Sequence, residues 1–129
     1  MAKKIENLLS GRERQIMDII FKLGEATVSE VLENLPDNPN YSTVRALLRI
    51  MENKGHLQHK EKGPRYVFYP TVSRERAKQV AIKHLLSTFF NNSVEGAVAT
   101  LLDVSKNQLS ETEFKRLSQL IDQKKAEGN

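Results

Sequence analysis

The sequence predicts a mainly α-helical chain carrying one small β-hairpin, and three patterns predict it. Apolar residues recur at helical spacing in six stretches, most of them opened by a capping residue or closed by glycine, proline or asparagine. A seventh stretch, Leu57 to Tyr69, instead gathers aromatic and β-branched residues around Lys62-Gly63-Pro64. A break at Pro70-Thr71-Val72 then separates a first unit, residues 1–72, from a strandless remainder, residues 73–129.

Ser10 and Glu13 have the spacing of a capping box, and Ile16, Ile19, Ile20 and Leu23 follow until Gly24, which predicts a helix from Gly11 to Leu23. Thr27 and Glu30 repeat the box, with Val28, Val31, Leu32 and Leu35 as the stripe of a shorter helix that Pro36 ends. Asp37-Asn38-Pro39 is turn chemistry, Asn40 can cap a third helix, and Gly55 can end it in the left-handed conformation. In the hairpin that follows, Tyr66, Phe68 and Tyr69 are expected to be core anchors rather than base-stacking rings, with Val67 and Tyr69 on one face and Tyr66 and Phe68 on the other.

Ser73 can cap a fourth helix bearing Ala77, Val80, Ala81, Leu85 and Phe89, which Asn91-Asn92-Ser93 interrupts. A fifth carries Val94, Ala97, Val98, Leu101 and Leu102, and a sixth, boxed by Ser110 and Glu113, carries Phe114, Leu117, Leu120 and Ile121. Beyond Lys124 the polar tail is expected to fray. Three short amphipathic helices make a poor core by themselves. Leu85, Phe89, Val98, Leu101, Leu102, Phe114, Leu117 and Ile121 are therefore expected to form a dimer interface with a second copy of the chain.

With 129 residues the chain supports one domain, or one compact domain with a small oligomerising extension. There is no cysteine, which excludes disulfides, thiolate metal sites and thiol nucleophiles. Met1-Ala2-Lys3-Lys4-Ile5-Glu6 lacks the apolar core of a signal peptide and no stretch approaches a membrane span, so a cytoplasmic protein is expected. The net charge is +4, and between Arg45 and Arg65 six basic residues face two acidic ones, a surplus equal to that of the whole chain.

That window contains the third helix. Val44, Leu47, Leu48 and Met51 fall on one side of it, while Ser42, Arg45, Ala46, Arg49 and Asn53 fall on the other. Amphipathic helices with two wet arginines are common in soluble proteins. Here, however, the order is helix, helix, helix, basic hairpin, the winged helix-turn-helix arrangement in which the third helix enters the major groove of DNA. Small residues let such a helix approach the bases, and arginine can donate two bonds to a guanine edge. Ser42, Thr43, Arg45, Ala46 and Arg49 are thus the candidate groove residues, and Lys60, Lys62 and Arg65 the candidate phosphate contacts from the wing. The wing charges also have a blander reading, as lysines that discourage pairing of an exposed strand edge. A winged helix that binds a partner protein instead of DNA is the functional alternative.

No enzyme is expected, because the chain has no glycine-rich phosphate loop, nucleophile elbow or His-Glu-x-x-His motif. His56 and His59 are spaced onto opposite faces of a strand, and His84 stands alone on the fourth helix, so neither a metal nor any other cofactor is expected.

These motifs carry a family resemblance. Leu9-Ser10 with Glu13 and Ile16-Met17, Thr27-Val28-Ser29-Glu30-Val31-Leu32, Ser42-Thr43-Val44-Arg45 through Leu47-Leu48 to Lys54-Gly55-His56-Leu57, and Gly63 to Pro70 make the chain similar to the BlaI/MecI/CopY family of penicillinase and copper-transport repressors. Phe89-Phe90-Asn91 and the segment from Leu109 to Glu113 are also similar. The resemblance implies a homodimeric repressor that sets winged-helix domains on palindromic operator half-sites and pairs through a C-terminal helical region. Two features of the family are missing: the cysteine cluster of its copper sensors, and the Asn-Phe bond cut in its antibiotic-resistance members, where this chain reads Thr100-Leu101. A sensor-linked metalloprotease is the further partner that the proteolytic branch implies.

Overall fold

The computed structural model describes residues 8–128; the segment from Met1 to Glu6 read above lies outside the described residues. In chain order the elements are α1 (Gly11–Leu23), α2 (Val28–Asn34), α3 (Tyr41–Asn53), β1 (Leu57–Lys62), β2 (Arg65–Pro70), α4 (Arg74–Phe89), α5 (Val94–Ser105), a 3-10 turn (Lys106–Gln108) and α6 (Glu111–Glu127). Two compact units divide between Gln79 and Val80, inside α4. The first turn of that helix goes with the N-terminal unit, because the Arg74 guanidinium donates to the Phe21 carbonyl at the end of α1.

Local chemistry accounts for the helix ends. The capping boxes of α1, α2 and α6 are all closed in both directions, the Ser10, Thr27 and Ser110 side chains accepting from the backbone of Glu13, Glu30 and Glu113. The Asn40 carboxamide accepts from the Thr43 N–H at 2.8 Å and so opens α3. At the other end Gly55 has φ 90°, and the N–H groups of Gly55 and His56 return to the carbonyls of Glu52 and Met51 at 3.0 Å each. This is the Schellman arrangement, which needs a residue free to adopt positive φ.

In the N-terminal unit Ile16, Met17 and Ile20 of α1, Val28 and Val31 of α2, and Val44, Leu48 and Met51 of α3 converge on Leu57 and Phe68 of the hairpin. The strands pair antiparallel from Leu57 opposite Pro70 to Lys62 opposite Arg65, leaving Gly63 and Pro64 as a two-residue turn. Ala26 adds a single bridge to Phe68, a third rung that ties the hairpin to the loop between α1 and α2.

Two expectations need correction. Tyr66 is not a core anchor: it is exposed near the tip of the hairpin, where its ring stacks on His59 at 4.3 Å, while Val67 and Phe68 are the buried residues. The strands outrun the core, so a ring that far along the ribbon has only its cross-strand neighbours to pack against. Nor does the chain fray at Lys124, since α6 runs on to Glu127 and Lys124 reaches that carboxylate at 3.2 Å.

The C-terminal unit has the predicted order of helices and, among its described residues, none that is buried. Its turn after α4 is made by Asn91 and Asn92 at φ 50° and 62°, a conformation asparagine tolerates better than most side chains.

Candidate nucleic-acid interface

The helix α3 rests on the core through Val44, Leu48 and Met51, each 0% exposed, with Leu47 half-buried beside them. That fixes what it turns outward. Ser42, Thr43, Arg45, Ala46, Arg49 and Asn53 are all exposed, so the candidate groove residues share the solvent side of one rigid helix. Thr43 is partly committed, since its hydroxyl donates to the Asn40 carboxamide at 2.8 Å within the cap. Sequence reasoning passed over Ile50, which is 45% exposed on the same outer side. Its signal was present, as the one large aliphatic residue of α3 outside the buried stripe.

Two lysines of the basic window are engaged inside the protein. Lys54, at the end of α3, donates to both Glu13 oxygens at 2.8 and 3.1 Å and to the Leu8 carbonyl at 3.0 Å. Burial pushes the Glu13 carboxyl up, but the hydrogen bonds from Lys54 and from the Ser10 backbone and hydroxyl outweigh it, leaving the group below its ordinary range. A buried carboxylate thereby clamps the start of α1 to the end of α3. On the wing, Lys60 lies 2.9 Å from the Glu25 carboxylate.

The strand register puts Lys60, Lys62 and Arg65 on one face of the hairpin with Val67, opposite the face that carries His59, Tyr66 and Phe68. Lys62 and Arg65 flank the tip turn and are exposed. They line an open groove of about 410 Å³ with Glu25, Thr27 and Glu30. The Glu30 carboxyl is held below its usual range first by hydrogen bonds from Thr27 and then by the nearby charges of Arg65 and Lys62. On the other face, His59 Nδ1 meets Glu52 Oε2 of α3 at 2.6 Å, so the wing is tied to α3 as well as stacked on itself. Arg12 braces the loop ahead of α3 through Asp37, with one of two contacts at 2.7 Å.

Among the described residues there is no group of three His, Cys, Asp or Glu side chains placed to hold a metal ion, and no helix long and apolar enough to cross a membrane. In the C-terminal unit Leu85, Phe89, Val98, Leu101, Phe114, Leu117 and Ile121 are exposed and Leu102 is half-buried. Phe89 reaches 72% and Leu101 61%, an unusual amount of apolar surface for so short a segment.

This winged helix with an outward, cationic third helix is similar to known proteins. The penicillinase repressor family model matches residues 9–123. The chain belongs to the penicillinase repressor family. A penicillinase repressor of Bacillus licheniformis is 27% identical over 125 residues, 95% of each chain. A 16.5 kDa protein of Latilactobacillus sakei is 25% identical over 122 residues, covering 93% of this chain and 82% of its own. Among solved structures, a homodimeric winged helix-turn-helix DNA-binding domain from Mycobacterium bovis matches 67% of this chain and 76% of its own with a TM-score of 0.52 and 22% identity, a likeness of fold. The penicillinase repressor match spans both units, so the exposed apolar helices belong to the family pattern as much as the winged helix does.

Proposed function

We propose that two copies of this chain, paired through their C-terminal helices, hold a palindromic operator with one α3 in each half-site. As a member of its family the chain is a DNA-binding transcriptional repressor. The observation that carries the proposed geometry is the outward face of α3, where Arg45 and Arg49 are exposed beside Ser42 and Ala46 while the opposite side is sealed in the core. Arginine on such a helix reaches guanine edges or phosphates, and Lys62 and Arg65 at the wing tip contact the flanking backbone. Lys54 and Lys60, held by Glu13 and Glu25, steady the scaffold instead. Repression follows by occupancy: the bound dimer covers promoter DNA that polymerase needs, and the setting is the cytoplasm, where that DNA is.

Dimerisation supplies the affinity, because linking two half-site contacts multiplies a weak single-domain interaction. Induction is then any event that separates the copies. For the sensor-linked metalloprotease implied by the family, Thr100 and Leu101 lie within α5, so cutting there requires that helix to open first.

One phosphate each for Arg45, Arg49, Lys62 and Arg65 of both protomers corresponds to about 8 neutralised phosphates per dimer and a slope of log affinity against log salt of about −7. Gel-shift titration between 50 and 200 mM salt is expected to show a loss of about 10⁴-fold. Arg49→Ala is expected to cost about 1 to 3 kcal/mol on the operator and less on random duplex. Binding that ignores salt would transfer α3 to a protein partner.

A further inference from the structure

The chemistry of α3 is not only polar. Ile50 stands 45% exposed on a helix whose other large aliphatic residues are buried or half-buried. At about 100° per residue it lies one turn beyond Ala46 and within the arc of Thr43 and Asn53, outside the Val44, Leu48 and Met51 stripe on the side of half-buried Leu47. A β-branched residue on a wet helix face adds nothing to helix stability, since its side chain loses rotamer freedom there. Single exposed aliphatics are common on protein surfaces. This one differs in its neighbours: Thr43, whose hydroxyl proton is already given to Asn40, has chiefly its methyl to offer, and Ala46 has nothing else. The three form an apolar strip one residue from Arg49, inside the basic window from Arg45 to Arg65.

A partner for such a strip must be anionic overall and apolar at one point. On the major-groove edge of a duplex only the thymine 5-methyl group is apolar, and it lies beside the acceptors that arginine reads. We propose that Ile50, with Ala46 and the Thr43 methyl, forms an apolar strip on α3 that recognises thymine by its 5-methyl group. The proposal rests on the reading of α3 as the groove helix and adds which base stands beneath its third turn.

The test uses the full-length dimer. Operator duplexes are first selected from a random library, and each thymine is then replaced by uracil, which removes the methyl group and keeps every hydrogen-bonding atom. The wild-type chain is expected to lose about fourfold in affinity at one thymine per half-site, the worth of one buried methyl. Ile50→Ala should bind the thymine duplex weaker by a similar factor and no longer distinguish uracil there, whereas Ile50→Val should keep part of the discrimination. Matching thermal midpoints of the three proteins would show that folding is unchanged. Uracil tolerated at every position by the wild type, or full discrimination retained by Ile50→Ala, would overturn the proposal while leaving DNA binding intact. A library from which no sequence is enriched would overturn the groove reading itself, and this proposal with it.

Discussion

The two units of this chain are written in the same amphipathic code and reach opposite outcomes. Among the described residues of the N-terminal unit, thirteen apolar side chains are buried, and the helices that bear them are locked by caps, a hairpin and a buried carboxylate. In the C-terminal unit the stripes are equally regular, yet Phe89, Val98, Leu101, Phe114, Leu117 and Ile121 stay in water. The difference is geometric. Three helices and a hairpin can enclose a volume, whereas the C-terminal helices, two of them longer than any in the first unit, have no sheet to close them and leave their stripes for another surface. The first unit is thus closed on itself, whereas the second has its stripes uncovered, as half of the joint in the proposed dimer would.

The sharpest way to break this comparison is at the joint. Leu101→Asp places a charge on the most exposed leucine of α5 and is expected to split the dimer, with operator affinity falling by 10²-fold or more, about the avidity of two linked sites. Sedimentation and gel-shift titration of the same preparation check it. Operator affinity unchanged in a protein that sediments as a monomer would mean that a single winged helix suffices.

A smaller effect contrasts the units by one chemistry. Leu48→Ala, at a site 0% exposed, should cost about 2 to 5 kcal/mol through lost burial and a cavity, read as a lower urea midpoint. Leu117→Ala removes the same atoms from an exposed site. In dilute, dissociated protein it should therefore cost under about 0.5 kcal/mol.

Smaller still is the clamp between α1 and α3. Glu13→Gln leaves Lys54 without its counter-charge and should destabilise the N-terminal unit by about 2 kcal/mol. The carboxyl sits below its ordinary range in the folded chain, so its contribution is fully present above the unfolded value of 4.5 and is lost as pH falls through the lower folded value. Unfolding midpoints measured from pH 7 down to pH 3 should therefore converge for wild type and variant at the acid end. A constant gap across that range would assign the loss to packing rather than to charge.

Much of this was legible without coordinates, for a local reason. Capping boxes at Ser10, Thr27 and Ser110, the positive φ of Gly55 and the two-residue turn at Gly63-Pro64 depend on residues adjacent in the chain, so spacing reveals them. The inward stripe of α3 was legible too, because helical period alone sorts Val44, Leu48 and Met51 from Arg45 and Arg49. Tyr66 escaped because aromatic character does not say how far a hairpin projects beyond its core. Ile50 escaped because an apolar residue near a stripe is easily counted with it.

Local order, then, was determined by the sequence itself: among the described residues six helices, a basic hairpin and the cationic side of the third helix all arise from neighbours within a turn or a strand pair. What only the tertiary structure decided is which charges are spent at home. Glu13 lies 41 residues from Lys54 and Glu25 lies 35 residues from Lys60, so no reading of spacing could pair them. Folding brings those ends together and desolvates one of the carboxylates, while Arg45, Arg49, Lys62 and Arg65 stay exposed on α3 and the wing, where the proposed duplex would lie.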